Sequence, residues 1–331
     1  MIAVKKRKYT KDIVFLAAVL ILVFVMLYSG LRILESAALL PGQSAETTPP
    51  SKTIQRGDTS YFPRQDITTI LVMGIDRQGP VEASGSYMNP GSSDMNVLVI
   101  FDEVTEKVTV LNLNRDTMLE MPALGLGGKQ AGTYFGQLAL SHNYGTGLED
   151  SCRNTVRTIS DFLYGVEIDY YVAMNMDAVA ILNDAVGGVT LEVTEDFSKV
   201  DPSIQKGTMT LMGQQAINYV RTRKNVGDQL NISRIGRHEK YMTAFLKSFK
   251  ETYSQDPTAV LSAYETVTPY LVTNCSANAL SGMLDRFYDY ELGEVVSPEG
   301  ENVMGEQYYE FYVDAEKLDA LILRLFYAPK K

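Results

Sequence analysis

Between Ile13 and Leu31 the chain carries nineteen residues without a single charge, behind a head that contains Lys5, Lys6, Arg7, Lys8 and Lys11. A helix rises about 1.5 Å per residue, so this run reaches roughly 28 Å, close to the ~30 Å core of a bilayer. The apolar region of a cleaved secretory signal is shorter, and Ser36-Ala37-Ala38, next to Leu39 and Leu40, is a poor cleavage site. The sequence therefore predicts a retained signal anchor over 13–31. Basic residues on its leading side keep the 1–12 tail in the cytoplasm and place everything after about residue 32 outside the cell membrane. No second segment is long and apolar enough to cross.

That topology limits the chemistry open to the rest of the chain. The formal net charge is −10, the head holds +4, and subtracting it leaves −14 for the remainder. Nucleic-acid phosphates need a broad basic face, so an acidic exterior domain argues for no nucleic-acid partner. Residues 32–65 are rich in Pro, Gly, Ser, Thr and Gln, including Thr47-Thr48-Pro49-Pro50-Ser51, and read as a stalk. The stretch from residue 66 onward is long enough for one large domain with a sizeable core. Cys152 and Cys275 allow either one disulfide or two buried thiols, and the sequence leaves both open. His142 and His238 are the only histidines, with no Cys/His cluster at zinc spacing, which argues against a zinc enzyme and against a Ser-His triad.

Ile67–Met73, Met95–Phe101 and Lys107–Leu113 are β-rich apolar runs, the last two joined as a hairpin by the polar turn 102–106. Cys152, Val156, Ile159, Phe162 and Leu163 share a helical face over 148–164, with Gly165 beyond the end. Strand patterns recur at Asp169–Met174 and Val189–Val193, and helical ones at Met176–Ala185 and Gln214–Val220. A long helix is expected from Ile232 to Tyr253, another over 257–270, then a strand at Tyr308–Val313 and a helix at Ala315–Phe326. Alternating strands and helices predict an α/β fold of three layers, α-β-α, with a central mixed β-sheet. Residues 66–250 make the main domain, and 251–331 form an extension of helix and strand packed on it.

Polar groups gather at the strand ends. Asp76 follows the first strand, Asp94 precedes the second, and Arg115-Asp116-Thr117 follows the third. If neighbouring strands are antiparallel, all three positions fall on one edge of the sheet, where α/β proteins build their sites. Two carboxylates there suit Mg²⁺, with Mn²⁺ as the alternative, because Mg²⁺ takes one or two carboxylates plus phosphate oxygens and water. The plain alternative is that Asp76 and Asp94 bond their own loop amides.

A second basic constellation lies downstream, with Arg221 and Arg223 followed by Arg234, Arg237 and His238. The last three fall at i, i+3 and i+4, one face of a helix near its first turn, where cations are disfavoured unless an anion is bound. Arg221 and Arg223 share a face only if the chain is extended there. A solvated basic face paired with acids remains the alternative reading.

These residues carry a family resemblance. Leu71-Val72-Met73-Gly74-Ile75-Asp76-Arg77, Ser93-Asp94-Met95, Asn114-Arg115-Asp116-Thr117, Ile168–Val172, Asp184–Val189, Gly213–Ala216 and Arg221-Thr222-Arg223 stand in the order found in the LytR–CpsA–Psr family of bacterial cell-wall glycopolymer ligases, which the chain resembles over about 66–248. The resemblance implies a Mg²⁺-dependent phosphotransferase. Such an enzyme takes a polyprenyl-pyrophosphate-linked glycan outside the membrane and passes its glycosyl phosphate to a peptidoglycan hydroxyl. By matched position, Asp76 and Asp94 would hold the metal. Arg77, Arg115, Arg221 and Arg223 would clamp the pyrophosphate, and Arg234 and His238 would complete the head-group site. Arg115, Arg221, Arg223 and Asp94 are the residues expected to carry catalysis.

His238 stands where many members carry Gln, and no Lys precedes His142 where relatives often have one; Lys129 is the nearby substitute. Two other functions fit the same residues, a lipid-pyrophosphate glycan hydrolase and a non-catalytic anchored regulator or scaffold. Asp76, Asp94 and Arg115 together favour catalysis over binding alone.

Overall fold

The structure, a computed structural model, describes residues 53–329 apart from 126–127, 223, 228–236, 238–239, 242, 246, 250, 253–254, 257–265, 277–278, 280–281, 284–285 and 288–289. The apolar run 13–31 lies outside the described residues, and none of the described helices is long and apolar enough to cross a membrane.

The chain enters through two short strands, β1 (Ile54–Arg56) and β2 (Thr59–Pro63). Five more come next: β3 (Ile67–Ile75), β4 (Ser93–Asp102), β5 (Lys107–Leu113), β6 (Met118–Leu124) and β7 (Gln130–Gln137). Helix α1 (Glu149–Phe162) leads to β8 (Tyr170–Asn175), α2 (Met176–Ala185), β9 (Val189–Val193), β10 (Gly207–Leu211) and α3 (Gln214–Arg221). The C-terminal part holds β11 (Leu271–Thr273), β12 (Glu291–Val296), β13 (Gly300–Met304), β14 (Tyr309–Val313), α4 (Ala315–Phe326) and β15 (Tyr327–Pro329).

Six strands make the central sheet, in the order β11-β8-β3-β4-β5-β12. The β8–β3 and β5–β12 pairs are parallel and the other three antiparallel, so the sheet is mixed. Side chains alternate across a strand, which splits β3 cleanly between two cores. Ile70 and Val72 join one with α2, α3, β9, β10 and Tyr241, Phe245 and Phe249. Leu71, Met73 and Ile75 join the other, under Cys152 and Ile159 of α1 and Leu318, Ile322 and Leu325 of α4. A strand buried on both faces needs an unbroken apolar run, which is what Ile70–Met73 supplies. Gly165, at φ +82°, donates to Ser160 O at 2.7 Å and closes α1 in the left-handed conformation that glycine adopts without strain.

Several elements depart from the sequence reading. The β6–β7 hairpin was unexpected because β7 exposes most of its residues and mixes Gly, Thr and Gln with aromatics, so no alternation marks it. Of the helix expected over 257–270, residues 257–265 lie outside the described residues; 268–270 form a 3₁₀ turn around Pro269 that feeds β11. The chain is helical wherever it is described between Arg237 and Gln255. The C-terminal stretch is built into the sheet and its cover, β12 as an edge strand and α4 as part of a core. Cys152 and Cys275 are free thiols, and burial pushes Cys275 up to about 12.

Candidate active site

Antiparallel pairing of β3 with β4 and of β4 with β5 brings the end of β3, the start of β4 and the end of β5 to one edge of the sheet. Asp76, Asp94 and Arg115 lie there, as the strand-end reasoning required. Asp94 owes its place to a bulge. Gly74 pairs with Met95 and Ile75 with Ser93, so Asp94 is the extra residue between two registers. A bulge re-aims the side chain of the inserted residue. Gly74 permits it, because a Cβ there would come within 3.1 Å of Met95 Cβ.

Each carboxylate at this edge meets a guanidinium from elsewhere in the fold. Arg115 Nη1 contacts Asp94 Oδ2, and its Nε lies 3.3 Å from Asp116 Oδ1. Arg221, the last residue of α3, reaches across to Asp76 with Nη2 2.7 Å from Oδ1. Arg221 is 47% exposed and Asp76 39% exposed, so the pair faces solvent and exchanges partners at little cost. Carboxylates and guanidiniums side by side can receive both a cation and an anion. Hard oxygens suit a divalent cation, and planar forks suit phosphate oxygens. Among the described residues no group of three or more His, Cys, Asp or Glu could hold a metal, so a cation at Asp76 or Asp94 would need oxygen ligands from phosphate or water.

The loop into Asp94 is fixed from behind. Asn89 Nδ2 donates to His142 O at 2.7 Å and to Ser151 Oγ at 3.0 Å, while its Oδ1 accepts from Gly91 N at 2.8 Å. His142 Nδ1 lies 2.7 Å from Gly91 O; a carbonyl only accepts, so Nδ1 carries the proton. Nε2 then faces the Cys152 thiol at 3.8 Å. Burial lowers the His142 pKa, against the opposing pull of the Gly91 carbonyl, and the ring sits neutral. The single histidine among the described residues is thus structural.

Arg77 lines an adjoining recess together with Glu82, Asn89, His142, Thr146 and Asn175. Its stem passes close to Gly91, where a Cβ would sit 2.9 Å from Arg77 Cγ. Arg77 thus stands beside the Asp76 edge, with no ion pair among the described residues.

Arg223, Arg234 and His238 lie outside the described residues. Arg237, grouped with them by helical spacing, does not share an exposed face: its side chain is 1% exposed and pairs with Glu195. Lys129 is exposed at the turn of the β6–β7 hairpin. Seven residues of strand separate it from the end of the hairpin that meets Asp116, and a Cβ on neighbouring Gly128 would sit 3.7 Å from the Tyr87 ring.

Gln137 was missed. Its Nε2 donates to Asp116 Oδ1 at 3.1 Å and to Tyr309 O at 2.8 Å, and Phe311 N donates to Asp116 O at 2.8 Å. The C-terminal hairpin β13–β14 is thereby tied to the residue that braces Arg115. Only the unanticipated β7 could have revealed this.

The sequence profile of the LytR_cpsA_psr family matches residues 41–325. The polyisoprenyl-teichoic acid–peptidoglycan teichoic acid transferase TagT of Bacillus subtilis is 28% identical over 226 residues, 66% of this chain and 62% of that protein. The transferase TagU of Oceanobacillus iheyensis is 26% identical over 203 residues, 60% of this chain and 56% of that protein. The chain thus spans less than two thirds of the length of either relative. Among solved structures, TagT bound to LI-WTA matches with a TM-score of 0.55 and 24% identity, covering 79% of this chain and 90% of that one. A Streptococcus agalactiae protein matches with a TM-score of 0.61 and 23% identity, over 78% and 86% of the two chains. At these identities the two structures establish a shared fold.

Proposed function

The chain belongs to the LytR–CpsA–Psr family, and from that premise we propose that it is a phosphotransferase acting outside the cell membrane, moving a glycosyl phosphate from a polyprenyl-pyrophosphate-linked glycopolymer to a peptidoglycan hydroxyl. The observation that carries this reading is the pair of ion pairs at one sheet edge, Arg115 with Asp94 and Arg221 with Asp76. The names of TagT and TagU, which describe transfer of teichoic acid to peptidoglycan, support the same class of donor and acceptor. The 13–31 segment would anchor the chain beside a lipid-borne donor.

In such a transfer the acceptor oxygen bonds to the sugar-linked phosphorus. The bond from that phosphorus to the bridging oxygen breaks, and the lipid departs as its phosphate. Little covalent work falls to the protein, so positioning and charge neutralisation supply most of the acceleration. Arg115 and Arg221 would trade their carboxylates for pyrophosphate oxygens, which holds the phosphorus and stabilises the charge growing on the leaving phosphate. Asp76 and Asp94, released from those arginines, would hold Mg²⁺, which when bound supplies further neutralisation of the pyrophosphate. The acceptor's proton passes to Asp116, the carboxylate beside Arg115 that the metal leaves free, or to solvent.

The test is to incubate the detergent-solubilised full chain with labelled lipid-pyrophosphate oligosaccharide, Mg²⁺ and peptidoglycan fragments. Label on the fragments is the expected result, and its loss on chelation supports the metal. Free glycosyl phosphate instead would mean hydrolysis, and neither product would leave a binding protein.

A further inference from the structure

One charged side chain of the basic stretch takes no part in the clamp yet is among the most deeply buried in the protein. Arg237 packs with its guanidinium carbon 5.7 Å from the centre of the Phe197 ring. Phe197 in turn stacks on Tyr219 at 5.5 Å. Burying a cation is costly unless its donors find partners, and here each of the three guanidinium nitrogens has one. Nη1 meets Glu195 Oε1 at 3.1 Å, Nε donates to Tyr219 O at 3.0 Å, and Nη2 donates to Thr222 O.

The two carbonyls identify the task. Tyr219 lies in the last turn of α3 and Thr222 is its C-terminal cap. Carbonyls in a helix's last turn lack partners within the helix, and that end carries partial negative charge. Arg237 satisfies one such carbonyl and the next beyond the end with a single rigid fork. Arg221 sits between them, so both flanks of its backbone are fixed relative to the core. We propose that Arg237, held by Glu195, is a positioning residue that fixes the end of α3 and so aims Arg221 at the Asp76 edge. This rests on Arg221 belonging to the phosphate clamp.

A double-mutant cycle in the full chain separates positioning from bulk stability, because residues acting through one another are not additive. Arg237→Lys keeps a charge for Glu195, but a single ammonium cannot reproduce the planar fork to both carbonyls. It should lower transfer about 10-fold or more, the scale set by a small misplacement of a reacting group. It should also weaken binding of inorganic pyrophosphate with Mg²⁺, measured by calorimetry. In an Arg221→Ala background the same change should have no further effect on either readout. An equal loss in both backgrounds would make Arg237 merely structural and overturn the proposal. If Arg221→Ala alone leaves transfer and pyrophosphate binding intact, the clamp reading itself is wrong, and the positioning role falls with it. Should Arg237→Lys fail to fold, Glu195→Gln, which keeps shape and removes charge, carries the same cycle with a smaller non-additive loss.

Discussion

The strands β3 and β4 carry an arginine–aspartate cluster at each of their two ends, and the two clusters are built for opposite purposes. At the end away from the site, Arg64 bonds Asp66 through Nε at 3.0 Å and Nη2 at 2.8 Å, and Asp102 through Nη1 at 2.9 Å. Arg64 and Asp102 are each 17% exposed, and Asp66 is two residues from its partner in sequence. At the other end Arg115 and Arg221 come from separate elements, and each spends few of its five donors on carboxylates. A half-buried cluster whose arginine engages two carboxylates with all three of its nitrogens staples a strand pair. A more exposed one with donors to spare is free to change partners, and that freedom, rather than the residue types, marks a site.

The largest contrast should appear in activity. Arg115→Ala or Arg221→Ala should slow transfer by about 10²–10³, the scale of losing one preorganised charge-stabilising group. For Arg221→Ala the thermal midpoint should barely move, since an exposed pair contributes about 0–1 kcal/mol. Normal transfer in both variants would erase the distinction between the two ends.

Arg64→Ala should do the reverse. Removing it leaves Asp102 half-buried without its cation, a loss of about 1–3 kcal/mol for a charged hydrogen-bonded partner. Urea unfolding should report that loss while the transfer rate per folded molecule stays at the wild-type value. A rate that fell with stability would show the ends to be coupled.

The two ends also differ from the rest of the site in how far sequence alone exposes them. Strand ends were legible because Ile70–Met73 and Val97–Phe101 are unbroken apolar runs, and antiparallel geometry then forces Asp76, Asp94 and Arg115 together. Helical spacing failed for Arg237, because periodicity assigns a face but not whether that face meets solvent or core. Phe197, Tyr219 and Glu195, which decide the matter, are 18 to 42 positions away in sequence. Gln137 was hidden for a related reason: its role depends on β7 and on the docking of β14, neither of which periodicity registers.

A smaller effect separates the two ends by pH. Near the site, His142 is held neutral by burial, with a folded pKa below the unfolded value of about 6.5. The unfolded chain then takes up the proton first, so this contribution is full above about pH 6.5 and is lost as pH falls below it. Because His142 holds Gly91 in the loop that leads to Asp94, the site end should loosen first on acidification. Thermal midpoints of the wild type should decline between pH 7 and 5, and His142→Asn should flatten that decline. Parallel declines in the two proteins would remove His142 as the cause.

The smallest effect belongs to the far end and to stronger acid. Arg64 holds the Asp66 carboxyl below its usual range. Burial alone would raise Asp102, but hydrogen bonds from Arg64, Thr105 and Val104 outweigh it, and its pKa is lowered too. Both groups have folded pKa values below unfolded ones, so their stabilisation is complete above about pH 4 and drains away as pH falls through the folded values. In Arg64→Met the carboxyls lose that pairing, and the variant starts weaker at pH 7 with less left to lose. The gap in unfolding free energy between wild type and Arg64→Met should therefore narrow as pH drops from 5 to 2. The corresponding gap for Arg221→Ala starts near zero and should stay there. A constant gap for Arg64→Met across that range would mean that Arg64 stabilises the strand pair through packing of its stem rather than through its two carboxylates.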